Sequence, residues 1–228
     1  MSGYTAHQSR LRPPQFALDE DVFIGLENRP IRHFAVPEAP GATRQRYLAG
    51  LQTVSSYSWI DAEVPTIAVP GMPRVWTDPP PGIALERDGN EAVKDQNTLM
   101  TPRFPLLALV ASVRAYRPNF AFNEVNIVTT RNSLRKLLRF IRGSGRPGAV
   151  ADFRLDVDVT GKSVLLTRRE LRIVEHYKSR SMRVAQSFER VCTLPADGDY
   201  ATHMSHHRVV KYRFGGLNIL MRFETDAC

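Results

Sequence analysis

Residues 208–226 read RVVKYRFGGLNILMRFETD, two apolar runs joined by Gly215-Gly216. A glycine pair between two such runs is typical of a tight β-turn, so the segment predicts a hairpin at one end of a sheet. The second run finishes with two carboxylates, Glu224 and Asp226. Because side chains alternate faces along a strand, we expect these two to project the same way, roughly 7 Å apart.

Paired carboxylates on one strand are a starting point for a divalent-cation site. Hard cations such as Mg²⁺ and Mn²⁺ prefer carboxylate oxygens. The solvent face of a strand at the edge of a sheet carries the same pattern of polar residues. The spacing alone therefore leaves both interpretations open, a cation site and a solvated strand.

Composition indicates a folded, basic protein. The chain has 228 residues, 43% of them hydrophobic and 24% charged, which is ordinary for a globular domain and excludes general disorder. Its formal net charge of +8 favours polyanionic partners, nucleic acid or anionic lipid. Cys192 and Cys228 have no metal-ligand spacing, and the sequence has no signal-peptide or membrane-spanning run, so we expect no secretion and no membrane partner.

The order of local patterns predicts one α+β domain. Residues 1–15 form a basic arm that we expect to be flexible, and residues 16–228 form a single domain. We expect a mixed, strongly twisted sheet flanked by helices. The segments predicted as helices are Thr43–Val54, Pro105–Tyr116, Thr130–Arg142 and Glu170–Arg190. Asn126–Thr129 is predicted as a strand and Phe153–Thr167 as a hairpin. Tyr200–His207 is predicted as a polar loop.

The helix predicted over Thr130–Arg142 carries two stripes, with Thr130 or Ser133 as its cap. Its apolar stripe has the spacing of a buried helix face and consists of Leu134, Leu137, Leu138 and Ile141. Its basic stripe consists of Arg131, Arg135, Arg139 and Arg142. A row of arginines either follows a phosphate backbone or forms a solvated face, and the sequence leaves both open.

Three motifs, taken in order, resemble the DXO-type family of RNA 5′-end enzymes, which are decapping nucleases and pyrophosphohydrolases, especially a divergent fungal-type branch. Asn126–Leu138 is similar to the family's Trp-Arg-Gly step into a helix, with Asn132 in place of glycine. Ala185–Glu189 resembles its Gly-x-x-Phe-Glu motif, with Ala185 in place of glycine. Glu224-Thr225-Asp226 matches its Glu-x-Asp motif.

The resemblance implies a chemistry for these residues. Glu189, Glu224 and Asp226 would be the catalytic carboxylates and the ligands of Mg²⁺ or Mn²⁺. Arg131 corresponds to the family's substrate arginine, and Arg135 and Arg139 extend the basic face toward the RNA. The implied function is a metal-dependent RNA 5′-end phosphohydrolase, located in the nucleus or cytoplasm, with a 5′-to-3′ exonuclease as a further partner.

One departure from the family concerns its next motif, a Glu-x-Lys on the following strand. The present sequence stops at Cys228, so the resemblance implies a C-terminally truncated, incomplete site with weak or absent hydrolysis. The alternative is a catalytically dead RNA-binding or exonuclease-adaptor module.

Overall fold

The computed structural model describes residues 24–27, 29–34, 48–142, 153–170, 173–176, 184–196 and 203–228. The arm predicted at residues 1–15 lies outside these residues. The described strands are β1 Ala49–Ile60, β2 Thr66–Ala68, β3 Val75–Trp76, β4 Glu91–Val93, β5 Ile127–Thr130, β6 Arg154–Thr160, β7 Ser163–Arg169, β8 Val174–His176, β9 Thr193–Leu194, β10 His203–Phe214 and β11 Leu217–Thr225. The described α-helices are α1 Gln96–Met100, α2 Leu107–Tyr116, α3 Arg131–Arg142 and α4 Ala185–Cys192.

Seven strands form the main sheet, in the order β2-β1-β10-β11-β5-β7-β6. The β11–β5 and β5–β7 pairs are parallel, and the other pairs are antiparallel. Two smaller two-stranded sheets pair β3 with β9 and β4 with β8. The predicted α+β class with a mixed sheet is confirmed.

The predicted hairpin at residues 208–226 is confirmed as β10 and β11, but its predicted place at one end of the sheet is wrong, because β1 and β5 pair with its two outer sides. Gly215 and Gly216 both have positive φ, 60° and 87°, as a two-residue turn between twisted strands requires. The pairing places His207 opposite Glu224 and Arg208 opposite Phe223. The register of this hairpin therefore decides which side chains surround the two carboxylates.

The main core lies on one face of the central strands, where α2 covers them. Leu109 and Val113 of α2 are fully buried in one cluster with Trp59 of β1, Val209 of β10 and Leu220 of β11. A smaller cluster contains Val210, Tyr212 and Ile219. Since Val209 and Val210 are neighbours on one strand, the two clusters occupy opposite faces of the sheet.

Two predicted helices are wrong over their described residues. Within the predicted helix Thr43–Val54, described from residue 48, β1 begins at Ala49 and pairs with β10, while Leu48 and Leu51 are exposed. Within the predicted helix Glu170–Arg190, described at residues 170, 173–176 and 184–190, β8 pairs with β4, and α4 begins at Ala185. Pairing partners distant in sequence outweighed the local helical spacing at both places.

The predicted polar loop Tyr200–His207 is also wrong over its described residues. The strand β10 begins at His203, and His206 and His207 are only 5% and 2% exposed. The helix predicted at Thr130–Arg142 is confirmed as α3, but its apolar stripe is not buried throughout, because Leu138 and Ile141 are about half exposed. None of the described helices is both long and apolar enough to cross a bilayer.

Candidate functional site

The sheet places the start of α3 beside the end of β11. Parallel pairing sets Arg222 of β11 next to Thr130, the last residue of β5. Thr130 caps α3, since its Oγ1 accepts a hydrogen bond from the Ser133 amide at 3.2 Å, which decides between the two predicted caps. Two residues after Arg222, the strand presents Glu224. The first turn of α3 and the carboxylate of β11 thus meet at one edge of the sheet.

A small cavity of about 40 Å³ marks this meeting point. Both Arg131 and Glu224 line it, so the structure brings together the predicted substrate arginine and one predicted metal ligand. The other lining residues are Lys94, Asp95, Thr130, Asn132, His207, Arg222 and Phe223. Arg135 and Arg139 are exposed one and two turns further along α3 and do not line the cavity.

Asp226 is held by backbone pairing just beyond β11. The Cys228 amide donates to the Arg74 carbonyl at 3.0 Å, and the Trp76 amide donates to the Cys228 carbonyl at 2.9 Å. Residues 226–228 therefore run beside β3, and Asp226 has a fixed position next to the end of β11.

Glu189 reaches the same region from α4. Asp88, which is 4% exposed, accepts hydrogen bonds from the backbone amides of Gln186 at 3.1 Å and Ser187 at 2.7 Å. A buried carboxylate from another segment thus satisfies the first amides of α4, where negative charge is favoured by the helix dipole. This contact fixes the helix that carries Glu189.

The three predicted carboxylates act on one another electrostatically. The pKa of Glu224 is raised to about 7, first by partial desolvation of its carboxyl group, although the residue as a whole remains exposed. The charges of Asp226, Asp95 and Glu189 also raise this pKa, and the charge of Arg222 lowers it. The pKa of Glu189 is also raised, first by desolvation and then by Asp226 and Asp88. The negative charges of Asp226 and Glu189 therefore act on Glu224, and we call these three residues the acidic cluster.

The chemistry of this cluster fits a hard divalent cation, because its donors are all carboxylate oxygens. The arrangement is open, however: among the described residues no three His, Cys, Asp or Glu side chains converge closely enough to hold a metal ion. Glu189 and Glu224 are exposed residues, and cation binding by these three residues requires their carboxylates to move together.

A buried polar network behind the small cavity was missed from the sequence. Asp95 binds Arg222 through both carboxylate oxygens and also caps α1, accepting from the Asn97 amide at 3.0 Å. Asn97 is fully buried and hydrogen-bonds Tyr57, Trp59 and His207. Two sequence signals were available: an Asp before a short helical segment, and an arginine within an apolar strand.

A larger cavity of about 710 Å³ lies between the start of α2 and the strands β6 and β7. Its lining includes Phe104, Arg168 and Glu170, and it shares no lining residue with the small cavity. Burial raises the pKa of Glu170, and Arg168 lies 3.1 Å from it as a counter-charge.

A family model described as a domain of unknown function, DUF8563, matches residues 35–228. The chain belongs to this family. The match includes all the residues of the small cavity and of the acidic cluster in this DUF8563 chain. No curated protein matches it.

Two solved structures are distantly similar to the DUF8563 chain. The crystal structure of S. pombe Rai1 is 13% identical, with a TM-score of 0.48, and the similarity covers 84% of this chain and 56% of that chain. S. pombe Rai1 in complex with 3′-FADP is 14% identical, with a TM-score of 0.47 and the same coverage of both chains. The chain thus spans little more than half the length of these proteins, and the similarity carries no conclusion about activity.

Proposed function

We propose that this chain is a metal-dependent phosphohydrolase that acts on the 5′ end of RNA, as a decapping nuclease or pyrophosphohydrolase. The observation that carries the proposal is that Arg131 and Glu224 line one cavity, with Asp226 and Glu189 electrostatically coupled to Glu224. A guanidinium next to clustered carboxylates is the combination needed to bind a phosphate and to hydrolyse it.

In this proposal Arg131 binds the phosphate next to the scissile bond. Its planar fork makes two parallel hydrogen bonds to phosphate oxygens, which fixes the orientation of the group. Arg135 and Arg139, exposed on the same helix, bind the RNA backbone that follows. The net charge of +8 adds a general attraction for the RNA.

The carboxylates supply the hydrolytic part of the site. When Mg²⁺ or Mn²⁺ is bound by Glu189, Glu224 and Asp226, it neutralises charge on the phosphate and lowers the pKa of water. In the metal-free chain the pKa of Glu224 is raised to about 7, first by desolvation and then by the negative charges of Asp226, Asp95 and Glu189. A cation held by these carboxylates would offset that repulsion and lower the pKa of Glu224, so in this proposal Glu224 is a metal ligand.

The test is Mn²⁺-dependent hydrolysis of 5′-triphosphate RNA and of capped RNA by the 228-residue chain. Replacement Glu224→Gln keeps the shape of the side chain and removes one negatively charged metal ligand, so we expect turnover to fall by about a hundredfold or more. Glu63→Gln, an exposed control outside the cluster, leaves the rate unchanged. Equal rates in the wild type and in Glu224→Gln would overturn the proposal.

A second candidate function is an RNA-binding module without hydrolytic activity, serving as an adaptor for a 5′-to-3′ exonuclease. The open arrangement of the acidic cluster favours it, since no three described carboxylates converge. In that case the chain binds 5′-triphosphate RNA equally well with and without Mn²⁺ and does not cleave it. Mn²⁺-stimulated turnover that depends on Glu224 would exclude this second function.

For either function we propose a nuclear or cytoplasmic location. Fluorescence imaging of the tagged full-length protein tests it, and secretion into the medium would contradict it.

A further inference from the structure

His207 is a buried histidine with one ring nitrogen that has no protein partner. It is 2% exposed, lies on β10 opposite Glu224 and lines the small cavity. Its Nε2 lies 3.1 Å from both Asn97 Nδ2 and Ser205 Oγ. Its Nδ1 is buried and has no hydrogen-bond partner among the described residues.

The orientation of the Asn97 side chain is fixed by its neighbours. The indole N–H of Trp59 can only donate, and it lies 3.1 Å from Asn97 Oδ1. The Asp95 carboxylate accepts from Asn97 Nδ2 at 3.1 Å. The amide oxygen therefore faces Trp59, and the NH₂ group faces Asp95 and His207.

This orientation decides the tautomer of His207. Since Asn97 Nδ2 is a donor, His207 Nε2 must accept, and a neutral ring then carries its proton on Nδ1. Burial lowers the pKa of His207 to about 2, and the charges of Arg222 and His206 add to the effect, so the ring is neutral at physiological pH. Nδ1 is consequently a fixed N–H donor.

The surroundings of this donor contain charges of both signs. Arg222 is paired with Asp95 by two hydrogen bonds, and Lys94 Nζ lies 3.8 Å from Glu175 Oε1. Glu224 lines the cavity together with Arg131, so the attraction for an anionic oxygen comes from Arg131. The first turn of α3 also lines the cavity, and a helix N-terminus attracts anions. A buried donor without an acceptor is unfavourable, and a bound oxygen removes that penalty.

The size of the cavity limits what enters it. About 10–15 Å³ of cavity volume is enough for one water molecule, so a cavity of about 40 Å³ has room for a small polar group such as the oxygens of one phosphate. Arg131, which is exposed, is placed to contact the same group.

We propose that His207 donates its Nδ1 hydrogen to one oxygen of the phosphate group held by Arg131, and that Trp59 and Asn97 set the tautomer that makes this possible. The inference rests on the proposed function in taking phosphate as the ligand. It assigns to His207 the role of a binding residue, and to Trp59 and Asn97 the role of positioning residues.

Two substitutions of His207 separate ligand binding from packing. The side-chain nitrogen of Asn falls near the Nδ1 position of His, and that of Gln falls near the Nε2 position. We expect His207→Gln to weaken the binding of inorganic pyrophosphate to the full chain by roughly tenfold or more, because a hydrogen bond to a charged group is lost. His207→Asn should stay within about threefold of the wild type, although it loses the Nε2 contacts and is the less stable variant.

The binding is measured by isothermal titration calorimetry without metal, and the proton position by ¹⁵N NMR of the histidine rings in the ligand-free chain. We expect the proton on Nδ1 and a shift of its resonance on titration with pyrophosphate. A proton on Nε2, equal losses in both variants, or no loss in either overturns the role of His207 and leaves the proposed function standing. A wild-type chain that fails to bind pyrophosphate also overturns the role of His207, whereas the proposed function is overturned only by the Mn²⁺-dependent hydrolysis experiment.

Discussion

Arg222 binds Asp95 through two parallel hydrogen bonds, Nη1 to Oδ1 at 3.2 Å and Nη2 to Oδ2 at 2.9 Å. The Arg222 side chain is 3% exposed and that of Asp95 is 21% exposed, so the pair is largely withdrawn from water. Because Asp95 also caps α1, the pair connects this helix to β11. The geometry is the planar match between guanidinium and carboxylate that gives the strongest ion pairs.

Replacement Arg222→Met should lower the free energy of unfolding by about 3 kcal/mol, because it leaves Asp95 half-buried without its counter-charge. Urea denaturation at pH 7 measures the loss. The matched control is Arg213→Met on the neighbouring strand, where the residue is exposed and the change should stay within about 0.5 kcal/mol. Equal effects of the two substitutions would show that the pair does not stabilise the domain.

His206 makes the stability depend on pH between neutrality and about pH 4. Burial lowers its pKa from 6.5 to about 4, and its Nδ1 lies 2.9 Å from Ser58 Oγ. As the pH falls through 6.5 the unfolded chain takes up the proton first, so the contribution of the neutral ring to stability is progressively lost. In His206→Asn, whose amide replaces the bond to Ser58, the decline in urea midpoint between pH 7 and pH 4.5 should be shallower. His176→Asn, an exposed control, should decline as the wild type does.

The ionisation of Glu224 changes the stability of the fold with pH in the opposite direction from that of an ordinary ion-paired carboxylate. Its pKa is raised from 4.5 to about 7, so the folded state favours the protonated form, and that contribution is lost as the pH rises through 7. Glu224→Gln should therefore have a higher Tm than the wild type at pH 8 and the same Tm below pH 4.5. Added Mn²⁺ should raise the Tm of the wild type more than that of Glu224→Gln. A wild type that is more stable than Glu224→Gln at pH 8 without metal would contradict this assignment.

Gly71 is required by a close approach of two backbones. It has a φ of +65°, and a Cβ placed there would lie 2.4 Å from the Ser58 amide nitrogen. Gly71→Ala should lower the free energy of unfolding by about 2 kcal/mol or more, from left-handed strain and from the clash. The control is Gly89→Ala, because a Cβ at Gly89 meets no atom within 4 Å. If chemical denaturation gave similar values for the two variants, the close approach would not be present in solution.

Arg135 and Arg139 should contribute to RNA affinity equally for every RNA sequence. Each alanine substitution should reduce the slope of log K against log salt by about 1 and weaken binding equally for different RNA sequences. Arg131→Ala should in addition abolish any preference for a 5′-triphosphate over a 5′-hydroxyl end. Fluorescence anisotropy at several salt concentrations measures both effects. An unchanged salt slope would place the RNA elsewhere on the surface.

The sequence was most informative where structure depends on neighbours in the chain. The hairpin at residues 208–226, the helix α3 and the shared position of Glu224 and Arg131 followed from turn residues, periodicity and motif order. The contact between Asn97 and His207 could not be predicted from local pattern, because the two residues are 110 positions apart in the chain. For the same reason β1 was misassigned, since its partner β10 begins more than 140 residues after its own first residue.

The central strands β10 and β11 carry both the core and the candidate site. On β11 the same face passes from Leu220, fully buried, to Arg222 and then to Glu224. The backbone amides in the buried part of these strands should therefore be among the slowest to exchange hydrogen with solvent. The backbone that carries Arg222 and Glu224 should keep its position until the strands separate, whereas Arg131 and Glu189 depend on the contacts of α3 and α4.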